Sequence, residues 1–209
     1  VQTCALPICV ESARLEAELV LSHALGLTRL ELYTDHDRPL TGAERDTARA
    51  LVERRGRREP LAYVLGEWGF RALTLRTDAR ALVPRPETEI VVERALARIE
   101  GIRGPRVVDV GTGSGAIALA IASERPDAVV TAVDLSAEAL SLARENAERL
   151  AVRVDLREGS LLAGLEGTFD LVVSNPPYVT AAEIETLEPE VRDWEPRQAL
   201  LDRGQIGRA

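Results

Sequence analysis

Apolar positions recur at helical spacing from Val10 to about Arg58. Ala13, Ala17, Val20, Leu21 and Ala24 share one helix face, and Gly26 follows where a helix would stop. Thr41 with Glu44 three residues on has capping-box spacing, and the helix it opens would turn Ala48, Leu51 and Val52 inward. A small helical unit is therefore expected over residues 10–60. Its end is basic, with Arg54, Arg55, Arg57 and Arg58 around Gly56. Cations are favoured beside a helix C-terminus, and the same cluster could dock a partner. The period then shortens to two. Ala72 to Thr77 alternates as a half-buried strand does, which predicts a β hairpin linker over 61–84.

Pro84-Arg85-Pro86-Glu87-Thr88-Glu89 opens a further helix, with proline and acidic residues where the first turn favours them. Arg85 and Glu87 serve either that helix start alone or a substrate. From residue 106 strands and helices alternate: Arg106 to Val110, Ala116 to Arg125, Ala128 to Val133, Ser136 to Leu150, Val152 to Arg157 and Phe169 to Ser174. Such alternation calls for a parallel sheet with right-handed crossovers. Ala116 to Ala122 is apolar nearly all round and should be well buried, whereas Ala139, Leu140, Ala143, Ala147 and Leu150 give the next helix one apolar face. The chain contains no internal repeat.

The 209 residues, 45% of them hydrophobic, suit one sizeable α/β domain and a small helical one. The longest apolar run is too short to span a bilayer, and no leader pattern opens the chain, so no membrane association is expected. A net charge of -8 argues against a general phosphate-backbone binder. The two cysteines, Cys4 and Cys9, cannot staple a fold, and the rest of the chain implies a reducing, cytoplasmic setting. Residues 1–9 match nothing that follows and read as non-native, and the absence of Met suggests a fragment or processed product. No metal is expected.

Val107-Val108-Asp109-Val110 runs into Gly111-Thr112-Gly113-Ser114-Gly115 and then a helix. Glycines there permit a tight turn and close approach of a ligand to the helix N-terminus. Asp134 ends the next strand, where its carboxylate can accept from both ribose hydroxyls of a nucleoside. Asp109 would orient the turn or merely cap it locally. Ser160 and Leu161 follow the third strand, either bordering the adenine or forming an ordinary loop. A nicotinamide or flavin nucleotide would satisfy the glycine pattern too. Asn175-Pro176-Pro177-Tyr178, directly after the buried strand Phe169 to Ser174, shifts the choice to S-adenosylmethionine. An amide or aryl-linked nitrogen is a poor nucleophile because its lone pair is delocalised. The Asn175 side-chain oxygen and the Pro176 carbonyl can accept its two hydrogens, Pro177 stiffens the loop, and the Tyr178 ring can cover its flat face. No general base is required, because the methylated nitrogen becomes acidic enough to lose its proton to water.

These motifs, with Gly66, Trp68-Gly69, Leu82 to Glu89, Asp109 to Ala120 and Val191-Arg192-Asp193-Trp194-Glu195-Pro196, resemble the peptide chain release factor glutamine methyltransferases over about residues 10–202. The resemblance implies a Rossmann-like class I methyltransferase domain over 85–209, preceded by a release-factor-binding helical domain and the hairpin. It implies S-adenosylmethionine at Gly111 to Gly115, Asp134, Ser160, Leu161 and Asn175, and a Gly-Gly-Gln loop at Asn175 to Tyr178, with Arg85 and Glu87. Ribosomal protein glutamine methyltransferases and DNA adenine methyltransferases share the Asn-Pro-Pro-Tyr type of loop. The Arg85 to Thr88 segment favours the release factor branch over the former. The acidic balance, with no basic region or pocket for a flipped base, argues against the latter and against direct nucleic acid contact. Only four core strands are countable, so the sheet is expected to be incomplete, with the last strand an apolar unpaired edge, and the chain as given to bind cofactor poorly or be unstable; an inactive binding module is the alternative to an enzyme.

Overall fold

The computed structural model describes residues 12–202, so the readings of residues 1–9, with Cys4 and Cys9, and of the last seven residues lie outside the described residues. The chain divides into two compact units after Leu65. The first holds α1 (Ala13–Leu25), α2 (Arg29–Thr34), α3 (Gly42–Gly56) and α4 (Leu61–Leu65). Gly26 ends α1 with φ of 63°, a left-handed stop. Thr41 and Glu44 form the capping box of α3, and Thr28 with Glu31 forms a matching one for α2. The inward faces differ from the expected ones. Val20 is buried on α1 while Leu21 is exposed, and on α3 Ala48 and Arg55 are buried while Val52 is exposed. The cause is a charged contact that hydrophobic periodicity does not register: Arg55 Nε donates to Glu16 Oε2 at 2.6 Å and draws that face of α3 towards α1. Arg54 binds Glu59 and donates to the carbonyl oxygens of Tyr63 and Val64 at 2.9 and 3.1 Å. Both arginines therefore hold the unit together internally.

The second unit begins with the hairpin of β1 (Glu67–Phe70) and β2 (Leu73–Arg76), paired antiparallel. Leu73 and Leu75 point inward and Thr74 and Arg76 outward, as the alternation predicts. The hairpin is more than a linker, because Phe70, Leu73 and Leu75 join the main core. That core gathers α5 (Pro86–Arg98), β3 (Arg106–Val110) and α6 (Ala116–Glu124), and then β4 (Val129–Asp134), α7 (Ala137–Leu150), β5 (Asp155–Glu158) and β6 (Leu171–Ser174) follow. Every residue from Ala116 to Ile121 is buried, in keeping with a helix apolar all round. Phe70, Leu75, Ile99, Leu119 and Ile121 are almost fully enclosed; each such side chain contributes about 1.5–3 kcal/mol relative to exposure.

The parallel sheet runs β5-β4-β3-β6. The chain builds outward from β3 to β4 and β5, then crosses to the other side of β3 for β6. Strand order thus reverses beside β3, the place where open α/β sheets hold ligands at the carboxyl ends of their strands. After β6 come α8 (Ala181–Ile184), α9 (Pro189–Trp194) and α10 (Arg197–Leu200), which the strand and helix periodicities did not predict. They fold back so that Val179 N–H donates to Leu200 O at 3.0 Å and Asp202 N–H to Val179 O at 2.9 Å. No helix among the described residues is long and apolar enough to cross a membrane.

Candidate active site

At the end of β3 the backbone enters the left-handed region at Gly111, Gly113 and Gly115, with φ of 73°, 57° and 85°. Gly111 N–H and Thr112 N–H both donate to Val133 O, at 2.8 and 3.0 Å, which locks the turn onto the end of β4. Asp134 completes that lock: Oδ2 accepts from Gly113 N–H at 2.8 Å and Oδ1 from Ser136 N–H at 2.9 Å. Each carboxylate oxygen still has a lone pair for a ligand hydroxyl. Gly159 N–H donates to Asp134 O at 2.9 Å, which brings the loop of Ser160 and Leu161 alongside. Leu161 is held at φ of 52°, a conformation costly for a branched side chain, and remains 57% exposed.

Asp109 is fully enclosed behind this turn. Thr112 Oγ1 donates to its Oδ2 at 2.6 Å, and Oδ1 makes no hydrogen bond of normal geometry among the described residues. Burial pushes its carboxyl up to about 6, against the opposing pull of the Thr112 hydroxyl and the Ala118 amide. Behind the turn, Asn146 carries a second brace that sequence reasoning missed. Its Nδ2 donates to Ser114 O at 3.0 Å and its Oδ1 accepts from Arg76 N–H at 2.7 Å, so the glycine turn, β2 and α7 share one buried amide.

On the other side of β3, Ser174 Oγ donates to Val110 O at 2.7 Å and pins the end of β6 beside the glycine turn. Asn175 follows, and its Nδ2 donates to Thr88 Oγ1 at 3.2 Å. Asn175, Pro176 and Pro177 line a cavity of about 310 Å³ together with Gly111 to Ser114, Asp134, Ser160 and Leu161. Gly115 does not line it, and a side chain added there would meet Leu119 and Ala143 instead. Tyr178 does not line the cavity and is 74% exposed. Arg85 and Glu87 do not line it either. Glu87 is exposed on the first turn of α5, and Arg85 Nη2 donates to Glu195 Oε1 at 2.5 Å. The Glu195 side chain is almost wholly enclosed, and burial raises its carboxyl above the usual range while Arg85 opposes the shift. Thr88, buried one helical turn from Arg85, lines the cavity in their place. Its only sequence signal is a β-branched hydroxyl residue within a helix start whose neighbours are charged.

Residues 6–66 match the PrmC N-terminal domain family and residues 88–190 the methyltransferase small domain family. The chain is 49% identical over 199 residues to a release factor glutamine methyltransferase of Geobacter sulfurreducens, covering 95% of this chain and 69% of that protein. The chain belongs to the release factor glutamine methyltransferase family. A protein of the same name from Chlorobaculum tepidum is 46% identical over 204 residues, covering 92% of this chain and 69% of that one. Among solved structures, the hMettl16 catalytic domain superposes with a TM-score of 0.50 at 15% identity, over 62% of this chain and 51% of that one, a likeness of fold alone.

The cofactor of this methyl transfer is S-adenosylmethionine, and the residues present fit it. A side chain added at Gly111 would meet no protein atom within 4 Å, so the backbone there fronts open space. Asp134 offers spare acceptors for ribose hydroxyls, and the enclosed Asp109 carboxyl stands behind the turn. The volume is at the lower end of small-molecule sites.

Proposed function

We propose that the chain moves a methyl group from S-adenosylmethionine to the side-chain amide nitrogen of the glutamine in a Gly-Gly-Gln loop of peptide chain release factors. One observation carries the reading: the Asn175-Pro176-Pro177 loop and the glycine turn with Asp134 line one cavity. S-adenosylmethionine supplies an electrophilic methyl group on a cationic sulfur. The turn from Gly111 to Gly115 and the Asp134 carboxylate hold the nucleoside, with Ser160 and Leu161 beside the adenine. Asn175 Oδ1 and Pro176 O each accept one N–H of the substrate amide. Holding both hydrogens leaves the nitrogen lone pair free to point along the line of transfer, which is the positioning a weak nucleophile needs. Closing the cavity around it removes water that would otherwise solvate the charged donor. The spent proton leaves to water, with no base assigned. Tyr178, exposed without substrate, covers the amide once the loop of the partner is seated.

The helical domain over 10–60 serves to grip the release factor, the hairpin region over 61–84 follows it, and residues 85–209 carry the chemistry. The acceptor is thus a protein, not a nucleic acid, and the setting is the cytoplasm, where translation ends. Arg85 acts on the substrate indirectly, through its hold on Glu195. Incubation with labelled S-adenosylmethionine and a release factor should label the wild-type factor and spare one whose loop glutamine is changed to alanine. Equal labelling of both would overturn the reading.

A further inference from the structure

We infer that Thr88 is a positioning residue that anchors the Asn175 amide in the arrangement methyl transfer needs. The inference rests on the methyl-transfer reading above. The two ends of an asparagine amide are nearly equal in size and opposite in hydrogen-bond character. Rotation about the last side-chain bond meets only a broad, roughly two-fold preference, so an unheld amide exchanges its ends readily. Methyl transfer tolerates one arrangement. With Oδ1 towards the cavity, the side chain accepts an N–H of the incoming glutamine. With Nδ2 there, two N–H groups oppose each other and the substrate hydrogen loses its acceptor.

The structure holds the first arrangement, with Thr88 as the anchor of the amide. Thr88 Oγ1 takes Nδ2 of Asn175 at 3.2 Å, and Oδ1 has no hydrogen bond among the described residues, on a side chain that lines the cavity. The residue that carries the hydroxyl is itself held firmly. Thr88 is 6% exposed on the first turn of α5, and its N–H donates to Arg85 O at 2.9 Å. Arg85 in turn is anchored on the enclosed Glu195, 110 positions away, so the start of α5 is clamped to the segment that folds back over the cavity. Two stretches set apart in the sequence, Arg85 to Thr88 and Val191 to Pro196, thereby act on the third, Asn175 to Tyr178.

The test uses the full chain, a release factor and three readouts: kcat, the Kd for S-adenosylmethionine by calorimetry, and the melting temperature. Thr88→Val keeps the shape and removes the acceptor. It should lower kcat about tenfold, the order expected when a polar group at the reacting atoms is left unpaired. Cofactor Kd should stay within about twofold, since the Thr88 contact is to Asn175 and not to the cofactor turn. Thr88→Ser, which restores the hydroxyl, should recover most of the lost kcat. Wild-type kcat in Thr88→Val overturns the inference, as does a parallel fall in kcat, affinity and melting temperature. A Thr88→Ser variant no better than Thr88→Val also overturns it. A wild-type chain that binds the cofactor and leaves glutamine unmethylated overturns the methyl-transfer reading and this inference together, which the variant results alone do not.

Discussion

Replacing Gly115 by alanine should damage folding far more than the same change at Gly111, although both glycines belong to one turn. Gly115 sits at φ of 85°, where a side chain would lie 3.0 Å from Leu119 Cδ1 and 3.2 Å from Ala143 Cβ. Leu119 is 1% exposed and Ala143 fully enclosed, so neither has room to retreat. A left-handed non-glycine residue costs about 1–2 kcal/mol. Forcing an extra methyl into a packed interior costs about 1–3 kcal/mol more, for a total of roughly 2–5 kcal/mol. Gly111 shares the backbone conformation at φ of 73°, yet an added side chain there meets nothing within 4 Å. Only the backbone cost of about 1–2 kcal/mol applies to its stability. Its methyl would instead intrude on the space expected to hold the cofactor. Urea unfolding of both variants, followed by calorimetric titration with S-adenosylmethionine, separates the effects. Gly115→Ala should lose more stability, and Gly111→Ala should lose affinity out of proportion to its stability. Equal loss of stability in the two would refute the division of the turn into a packed end and a ligand-facing end.

Arg85→Ala should destabilise by about 1–3 kcal/mol, because it strands the enclosed Glu195 carboxylate while Arg85 itself is partly in water. The penalty should shrink at low pH, where Glu195 takes up a proton, and Glu195→Gln in the same chain should recover much of it. Unfolding midpoints at two pH values check this, and a penalty independent of pH would contradict it. Asp109 also makes stability depend on pH. Its folded value near 6 lies above the ordinary 3.8, so its contribution is fully present below about 4 and is lost as pH rises through about 6. Asp109→Asn should therefore gain on the wild type between pH 4 and pH 8 by on the order of 3 kcal/mol, without cofactor. A constant gap across denaturation curves in that range would show that the carboxyl is not perturbed.

The grouping of the glycine turn with Asp134 was legible because it is local. A strand, a glycine turn, a helix and an acidic residue ending the next strand force Gly111 to Gly115 and Asp134 into proximity, and the structure ties them through Gly113 N–H. Asn175 to Pro177 was legible for the same reason, as a rigid loop leaving a buried strand. The braces were not. Asn146 meets Arg76, 70 positions away, and Thr88 meets Asn175, 87 away, so neither contact has a local signature. Burial was misjudged where charge decided it, since Arg55 turns inward to reach Glu16 and leaves Val52 in water. The short helix α2 was readable, because Thr28 and Glu31 repeat the spacing of Thr41 and Glu44. Tyr178 shows a different limit: the motif puts it beside the cavity, and the structure leaves its side chain outside the lining and 74% exposed.

Methyl transfer to one side-chain amide is read by mass spectrometry of a release factor after incubation with this chain and S-adenosylmethionine. The peptide bearing the Gly-Gly-Gln loop should gain the mass of one methylene, with fragment ions assigning it to the glutamine side chain, and Asn175→Ala should abolish the gain. An unmodified loop peptide, or a methyl group on any other residue, would contradict that transfer.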